Sequence, residues 1–171
     1  MTVEFEEQFE QFWESVSDGL YRYMLCGCRC RSEAEDLVQD CMARAVRGWA
    51  GFDGKSTRKN WLFSIARRTL ADWFRRERRT ARTRQLYMHR ISESSTCSSN
   101  DVMPEKSELI WSVVSRLSDK QAEIIRLRFA VGLSYQQMSQ LLNVPPGTVR
   151  SRLHRALITI RQFISEQENE T

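Results

Sequence analysis

The chain reads as an all-α protein of two small helical domains joined by a flexible linker. Three observations predict this. Gly and Pro are scarce, 7 and 3 in 171 residues, so few helix breakers are available. Apolar residues recur every three to four positions through most of the chain, the period of helices with one buried face. One segment, SESSTCSSND from Ser92 to Asp101, is Ser-rich and almost without apolar side chains, so it has little to bury. The expected divisions are an N-terminal helical domain over residues 1–81, a linker over 82–106, and a C-terminal helical domain over 107–171.

In the first domain, Phe5, Phe9, Phe12, Val16, Leu20, Tyr23 and Met24 mark a helix from Phe5 to Arg29. Ser32 is placed to cap the next helix, with Glu33, Glu35 and Asp36 in its first turn, where carboxylates meet the positive end of the helix dipole. That helix runs to Trp49. It gathers Val38, Met42, Ala45, Val46 and Trp49 on one side and turns Asp36, Asp40, Ala43 and Arg47 outward, flanked by Leu37 and Arg44. GFDGK, Gly51 to Lys55, is a turn. The polar stretch Lys55 to Asn60 leads into a third helix, Trp61 to Arg79, which ends in RRERR.

The second domain reads as four helices. A short one covers Glu108 to Arg116. The next, Ser118 to Ala130, opens on SDKQ, a capping box with Gln121 at the third helical position, and stops at Gly132. Ser134 caps a third, Tyr135 to Leu142, and a fourth runs from Pro146 to Ser165.

Charge is segregated. Met1 to Leu20 holds six acids and no Lys or Arg, whereas Ala43 to Arg90 holds 14 Lys/Arg against 3 Asp/Glu, a local surplus of +11. Such a field points to a polyanion partner. Between Phe52 and Arg79 the cations interleave with Trp61, Phe63, Trp73 and Phe74. Cations that follow a phosphate backbone and rings that stack on bases suit single-stranded or melting DNA, with some of the rings reserved for the core. The acidic N-terminus has no apolar signal segment and no apolar run approaches membrane-spanning length, so the expected location is the cytoplasm. Cys26, Cys28 and Cys30 form CGCRC, which lacks the recurring pair spacing of a zinc site. These thiols are expected to be reduced and structural, with no metal and no cofactor.

The C-terminal segment NVPPGTVRSRLHRAL, Asn143 to Leu157, supplies the second signal. Proline is excluded from helix interiors but fits a first turn, so Pro145 and Pro146 end one helix and begin another about three residues later. This is the spacing of a helix-turn-helix. With Val149 at zero and about 100° per residue, Leu153, Ala156, Leu157, Ile160, Phe163 and Ile164 share a face. Arg150, Ser151, His154, Arg155 and Arg161 lie opposite. A helix of that kind fits the major groove, where Arg reads guanine and Ser or His adds a single bond to a base edge. Gly147 and Thr148 stand at the helix N-terminus, where backbone N–H groups suit a phosphate.

Three segments together resemble the extracytoplasmic-function (ECF, group 4) branch of bacterial RNA polymerase sigma factors. They are EAEDLVQDCMARAVRGW (Glu33 to Trp49), FDGKSTRKNWLFSIARRTLADWFRRERR (Phe52 to Arg79) and LSYQQMSQLLNVPPGTVRSRLHRAL (Leu133 to Leu157), in the family's order. The resemblance implies sigma region 2 in the first domain and the helix-turn-helix of sigma region 4 in the second, with promoter-directed initiation as the function. Asp36, Leu37, Asp40, Cys41 and Arg44 would dock on core RNA polymerase (β and β′ subunits), on the coiled coil of β′. Lys55, Ser56, Thr57, Arg58, Lys59, Asn60, Arg67, Arg68, Arg75, Arg76 and Arg79 would meet the −10 element. Arg68 stands where many members carry Asn and reads as a phosphate contact. Arg150, Ser151, His154 and Arg155 would read the −35 bases, with Tyr135, Gly147, Thr148 and Arg152 on phosphates. The resemblance also implies an anti-sigma partner, often membrane-bound, and no small-molecule substrate.

Two other readings compete. A free-standing regulator would share the C-terminal domain but needs a receiver or ligand domain, and the N-terminal half offers neither strands nor a pocket. A metal-dependent nuclease needs clustered carboxylates, and the basic segment has only Asp53, Asp72 and Glu77.

Overall fold

The first helix, α1 (Val3–Cys28), places Phe9, Val16, Leu20, Tyr23 and Met24 on one buried stripe. A computed structural model describes residues 3–88, 114 and 117–169, with side chains over 6–81, 114 and 117–166. The helix expected over Glu108 to Arg116 lies outside the described residues except for Val114, which is helical and buried. The linker expected over 82–106 is helical from 82 to 88, as the end of the third helix, and from 89 to 106 lies outside the described residues.

Helix α2 (Arg31–Trp49) follows after Arg29, which turns the chain at φ 61°. Its N-cap is Cys30 rather than the expected Ser32, whose Oγ lies 3.2 Å from the Cys30 Sγ. Ala34, Leu37, Cys41, Ala45 and Trp49 are the buried residues. The buried stripe is therefore rotated from the one expected. Met42 is 40% exposed, while Leu37 and Cys41, expected on the docking face, are core. The cause is the small side chains of Ala34, Cys41 and Ala45, which let α1 and α3 approach closely. The bulkier Val38 and Val46 sit at the edge.

Helix α3 (Arg58–Met88) is capped by Thr57, whose Oγ1 accepts from the Asn60 N–H at 3.1 Å. It starts earlier than expected and continues past Arg79, because nothing up to Met88 is Gly or Pro. Leu62, Phe63, Ala66 and Leu70 pack inward. Gly27 marks the tightest crossing of α1 and α3: a Cβ there would stand 2.6 Å from Leu70 Cδ2. The rings join the helices. Phe9 meets Trp49 edge-on at 5.1 Å, Trp49 meets Trp61 at 6.1 Å, and Trp61 meets Phe52 at 5.7 Å.

The C-terminal half begins with α4 (Asp119–Ile125), which has the expected capping box, Gln121 Oε1 accepting from the Ser118 N–H at 3.1 Å. It widens into a π-helical turn, Arg126–Ala130, closed by a 3.3 Å bond from the Val131 N–H to the Arg126 carbonyl. Gly132, at φ 76°, supplies the left-handed exit. Helix α5 (Tyr135–Leu142) has the second capping box, Ser134 with Gln137. Asn143 ends it in the left-handed conformation, φ 51°. Pro146 then opens α6 (Pro146–Asn169). Val149, Leu153, Ala156 and Phe163 are its buried residues. Leu157 and Ile164, expected to pack inward, are each 40% exposed, since they lie at the margin of the apolar stripe.

The two halves touch. The π turn lies on α1, and α5 lies on α3. Their buried side chains form one continuous cluster, from Phe9 through Phe63 to Ile124, Met138 and Val149.

Leu20 is fully buried between helices. Leu20→Ala should lower unfolding free energy by about 2–5 kcal/mol, measured by urea denaturation.

Candidate nucleic-acid interface

In α6, the residues opposite Val149 face solvent. Arg150, Ser151, His154 and Arg155 are exposed, and Arg152 is half-buried. The Gly147 position is open, with no atom within 4 Å of an added Cβ, so the start of the helix is accessible. Tyr135 at the start of α5 has two guanidiniums near its ring, Arg128 at 5.4 Å and Arg150 at 5.7 Å from the centroid. The Arg150 contact ties the start of α5 to α6. Arg128 is not among the expected site residues. Its partner lies seven positions away across a turn, which apolar periodicity does not reveal.

The basic face of α3 divides into two groups. Arg68, Arg76 and Arg79 are exposed. Arg75 is exposed and pairs with Asp72, which also lies 3.7 Å from Arg44. In the preceding loop, Lys55 pairs with Asp53 at 2.7 Å, Ser56 and Thr57 are exposed, and Arg58 lies over the Trp49 ring at 4.5 Å. The other group is engaged by the C-terminal half. Lys59 Nζ donates to the Val131 carbonyl at 3.1 Å. Asn60 is 3% exposed and its Nδ2 donates to the Gln137 carbonyl and to Gln140 Oε1, at 3.2 and 3.3 Å. Arg67 donates to Glu123 at 2.5 Å and to the Leu141 carbonyl at 3.0 Å. Of the rings, Phe63 is core, while Trp61, Trp73 and Phe74 are half-buried.

On α2, Asp36 is exposed and Asp40 pairs with Arg44 at 2.9 Å. Asp36, Leu37 and Asp40 line an open cleft with Glu33, Trp73 and Arg76. Trp73 Nε1 donates to Glu33 at 2.8 Å across it, so the cleft joins α2 to α3.

The thiols are protected. Burial pushes Cys26 up to about 12 and Cys28 and Cys41 up to about 11. Among the described residues no group of His, Cys, Asp and Glu is arranged to hold a metal ion, and no helix is long and apolar enough to cross a membrane.

The fold and the exposed helix define a two-part helical DNA-binding protein. Two family profiles match in order: sigma-70 region 2 over residues 12–80 and sigma-70 region 4 over residues 107–160. The chain is 27% identical to the ECF RNA polymerase sigma factor SigX of Bacillus subtilis, over 93% of this chain and 84% of that one. It is 25% identical to the RNA polymerase sigma factor YlaC of the same organism, over 96% and 94%. Among solved structures it superposes on the sigma factor RpoE bound to the anti-sigma factor NepR from Bartonella quintana. That match has a TM-score of 0.70 at 25% identity and covers 93% of this chain and 98% of that chain. The fold is also that of CnrH in complex with the cytosolic domain of CnrY, with a TM-score of 0.70 at 18% identity over 94% and 90%. The chain therefore belongs to the ECF branch of RNA polymerase sigma factors, subunits that bind core polymerase and direct promoter-specific initiation.

Two outcomes test the thiol environment. In a Cys97→Ser chain, an aromatic disulfide reagent at pH 7 should react with the native thiols at least tenfold more slowly than after denaturation, since only thiolate attacks. Because these thiols sit above their ordinary value when folded, their contribution to stability is full below about pH 9 and is lost as pH rises toward 11–12. Alkaline melting curves should fall through that window.

Proposed function

We propose that the exposed face of α6 reads −35 duplex DNA, that the basic face of α3 and the loop before it capture the −10 strand, and that α2 docks on core polymerase. The observation that carries this is the separation of faces on α6: Val149, Leu153 and Ala156 are buried, while Arg150, Ser151, His154 and Arg155 are exposed, with Arg128 and Arg150 near the Tyr135 ring. Arg150 and Arg155 have the reach and the forked donors for guanine O6 and N7. Gly147, Thr148, Arg152 and Tyr135 lie where the phosphates flank the groove.

On α2 the docking residues are Asp36, Asp40 and Arg44. Leu37 and Cys41 support them from beneath, since both are core. The −10 contacts that are exposed are Lys55, Ser56, Thr57, Arg58, Arg68, Arg75, Arg76 and Arg79. We infer further that the chain is a soluble cytoplasmic subunit with no catalytic chemistry of its own. An anti-sigma factor is its natural antagonist, by analogy with the solved relatives captured with NepR and CnrY. The division into two domains fits the two profile matches and belongs to the same proposal, with the end of the first moved from residue 81 to Met88, where α3 ends.

Run-off transcription tests the whole reading. The purified chain is added to core polymerase with a pool of random promoter-length templates. Specific transcripts that depend on the chain are expected. Their absence, with duplex binding retained in the absence of polymerase, would return the protein to the regulator class. Within that assay Arg155→Ala should cost about 1–3 kcal/mol of discrimination at one −35 position. A loss spread evenly over all sequences would place Arg155 on a phosphate instead. Removing Arg76 and Arg79 should flatten the log–log salt dependence of binding by about 0.9 for each duplex phosphate that they neutralise.

A further inference from the structure

Arg150 is the first cation on the exposed face of α6, and the two helices that meet there give it no carboxylate. From Tyr135 to Ile164 the chain holds no Asp or Glu. Its guanidinium lies instead over the Tyr135 ring, 5.7 Å from the centroid. The backbone on both sides of this contact is fixed. Tyr135 opens α5 inside the Ser134–Gln137 capping box, where the Ser134 N–H donates to Gln137 Oε1 at 2.8 Å and the Gln137 N–H donates to Ser134 Oγ at 3.2 Å. Arg150 follows Val149, which is fully buried. Arg128 reaches the same ring from the π-helical turn, 5.4 Å from the centroid, and is anchored by its Nη1, which donates to the Leu133 carbonyl at 2.9 Å. Like charges repel, so the anchored guanidinium narrows the places in which Arg150 can settle.

We propose that Tyr135 is a positioning residue for −35 recognition, its ring holding Arg150 in the pose that reads a base edge. The inference rests on the −35 reading of α6 above and adds a residue that sets its specificity. An arginine side chain has many rotamers and gives up most of that freedom to place two donors on one guanine. A ring that restrains it beforehand lowers the entropy lost on binding. The gain falls at the one base that Arg150 meets, not along the backbone. It depends on the face of the ring, because the attraction is between a cation and the π electrons. The hydroxyl belongs to the phosphate contact assigned above. Ring and hydroxyl therefore do different things, and substitution parts them: Phe keeps the ring without the hydroxyl, and Leu keeps neither. Tyr135 is 36% exposed, so neither change opens a hole in the core.

The test is a pool of templates randomised only over the −35 element, each with a transcribed barcode, and transcribed by core polymerase with the full-length chain. Barcode counts in the RNA give the base preference at each position. Arg150→Ala identifies the position that Arg150 reads, and Arg155→Ala the one that Arg155 reads. Tyr135→Leu should lose about two- to fivefold of the preference at the Arg150 position, the size of an exposed cation–π contact, and keep the preference at the Arg155 position. Tyr135→Phe should keep the pattern at both, since a loss at a phosphate is even over sequences and cancels within the pool. Adding Tyr135→Leu to Arg150→Ala should cost nothing further at that position. Positioning is overturned if Tyr135→Leu keeps the parent's preference at the Arg150 position, if it blurs both positions alike, or if Tyr135→Phe loses as much as Tyr135→Leu. Those three results leave the −35 reading standing. If Arg150→Ala shifts no position, the base reading by Arg150 falls, and positioning falls with it.

Discussion

The Arg67 guanidinium is the point on which the arrangement turns. It lies on α3, one residue past the buried Ala66, and reaches across to Glu123 of α4 and the carbonyl at the end of α5. An ion pair this partly buried gains little over two apolar side chains but costs a good deal if only one partner is removed. Such a pair specifies how two bodies meet more than how strongly. The apolar cluster that runs from Phe63 to Ile124 and Met138 supplies the adhesion, and Arg67 with Asn60 supplies the register.

Helix α3 therefore has three duties along its length. Its inward residues, Leu62, Phe63, Ala66 and Leu70, complete the core of the N-terminal half. Trp73 ties it to α2 through Glu33, so the cleft between α2 and α3 and the basic face share one rigid element. Its donors at Lys59, Asn60 and Arg67 face the C-terminal half. All three surfaces are therefore carried by one helix.

Much of this was legible in the sequence, for reasons tied to range. The capping boxes at Ser118 and Ser134 and the Pro145–Pro146 break are local signals, and the helices begin and end on them. The exposed set on α6 follows from its period. The phase of α2 does not, because Ala34, Cys41 and Ala45 are small enough to be core without looking apolar in bulk. Leu37 and Cys41 are accordingly expected outside and lie inside. The partners of Lys59, Asn60 and Arg67 are 56 to 80 residues away, and two of the acceptors for Asn60 and Arg67 are backbone carbonyls, which every residue has. No pattern of residue types could disclose them. The π-helical turn at Arg126–Ala130 is likewise hidden, since it differs from an α-helix by one residue of register.

The central claim is that the chain closes on itself, with the C-terminal half seated on Lys59, Asn60 and Arg67 of α3. A distance between spin labels at Gln11 on α1 and Gln162 on α6, both exposed, tests it most directly by pulsed electron resonance. The account predicts one narrow, short distribution for the chain alone. A broad or long distribution would contradict it.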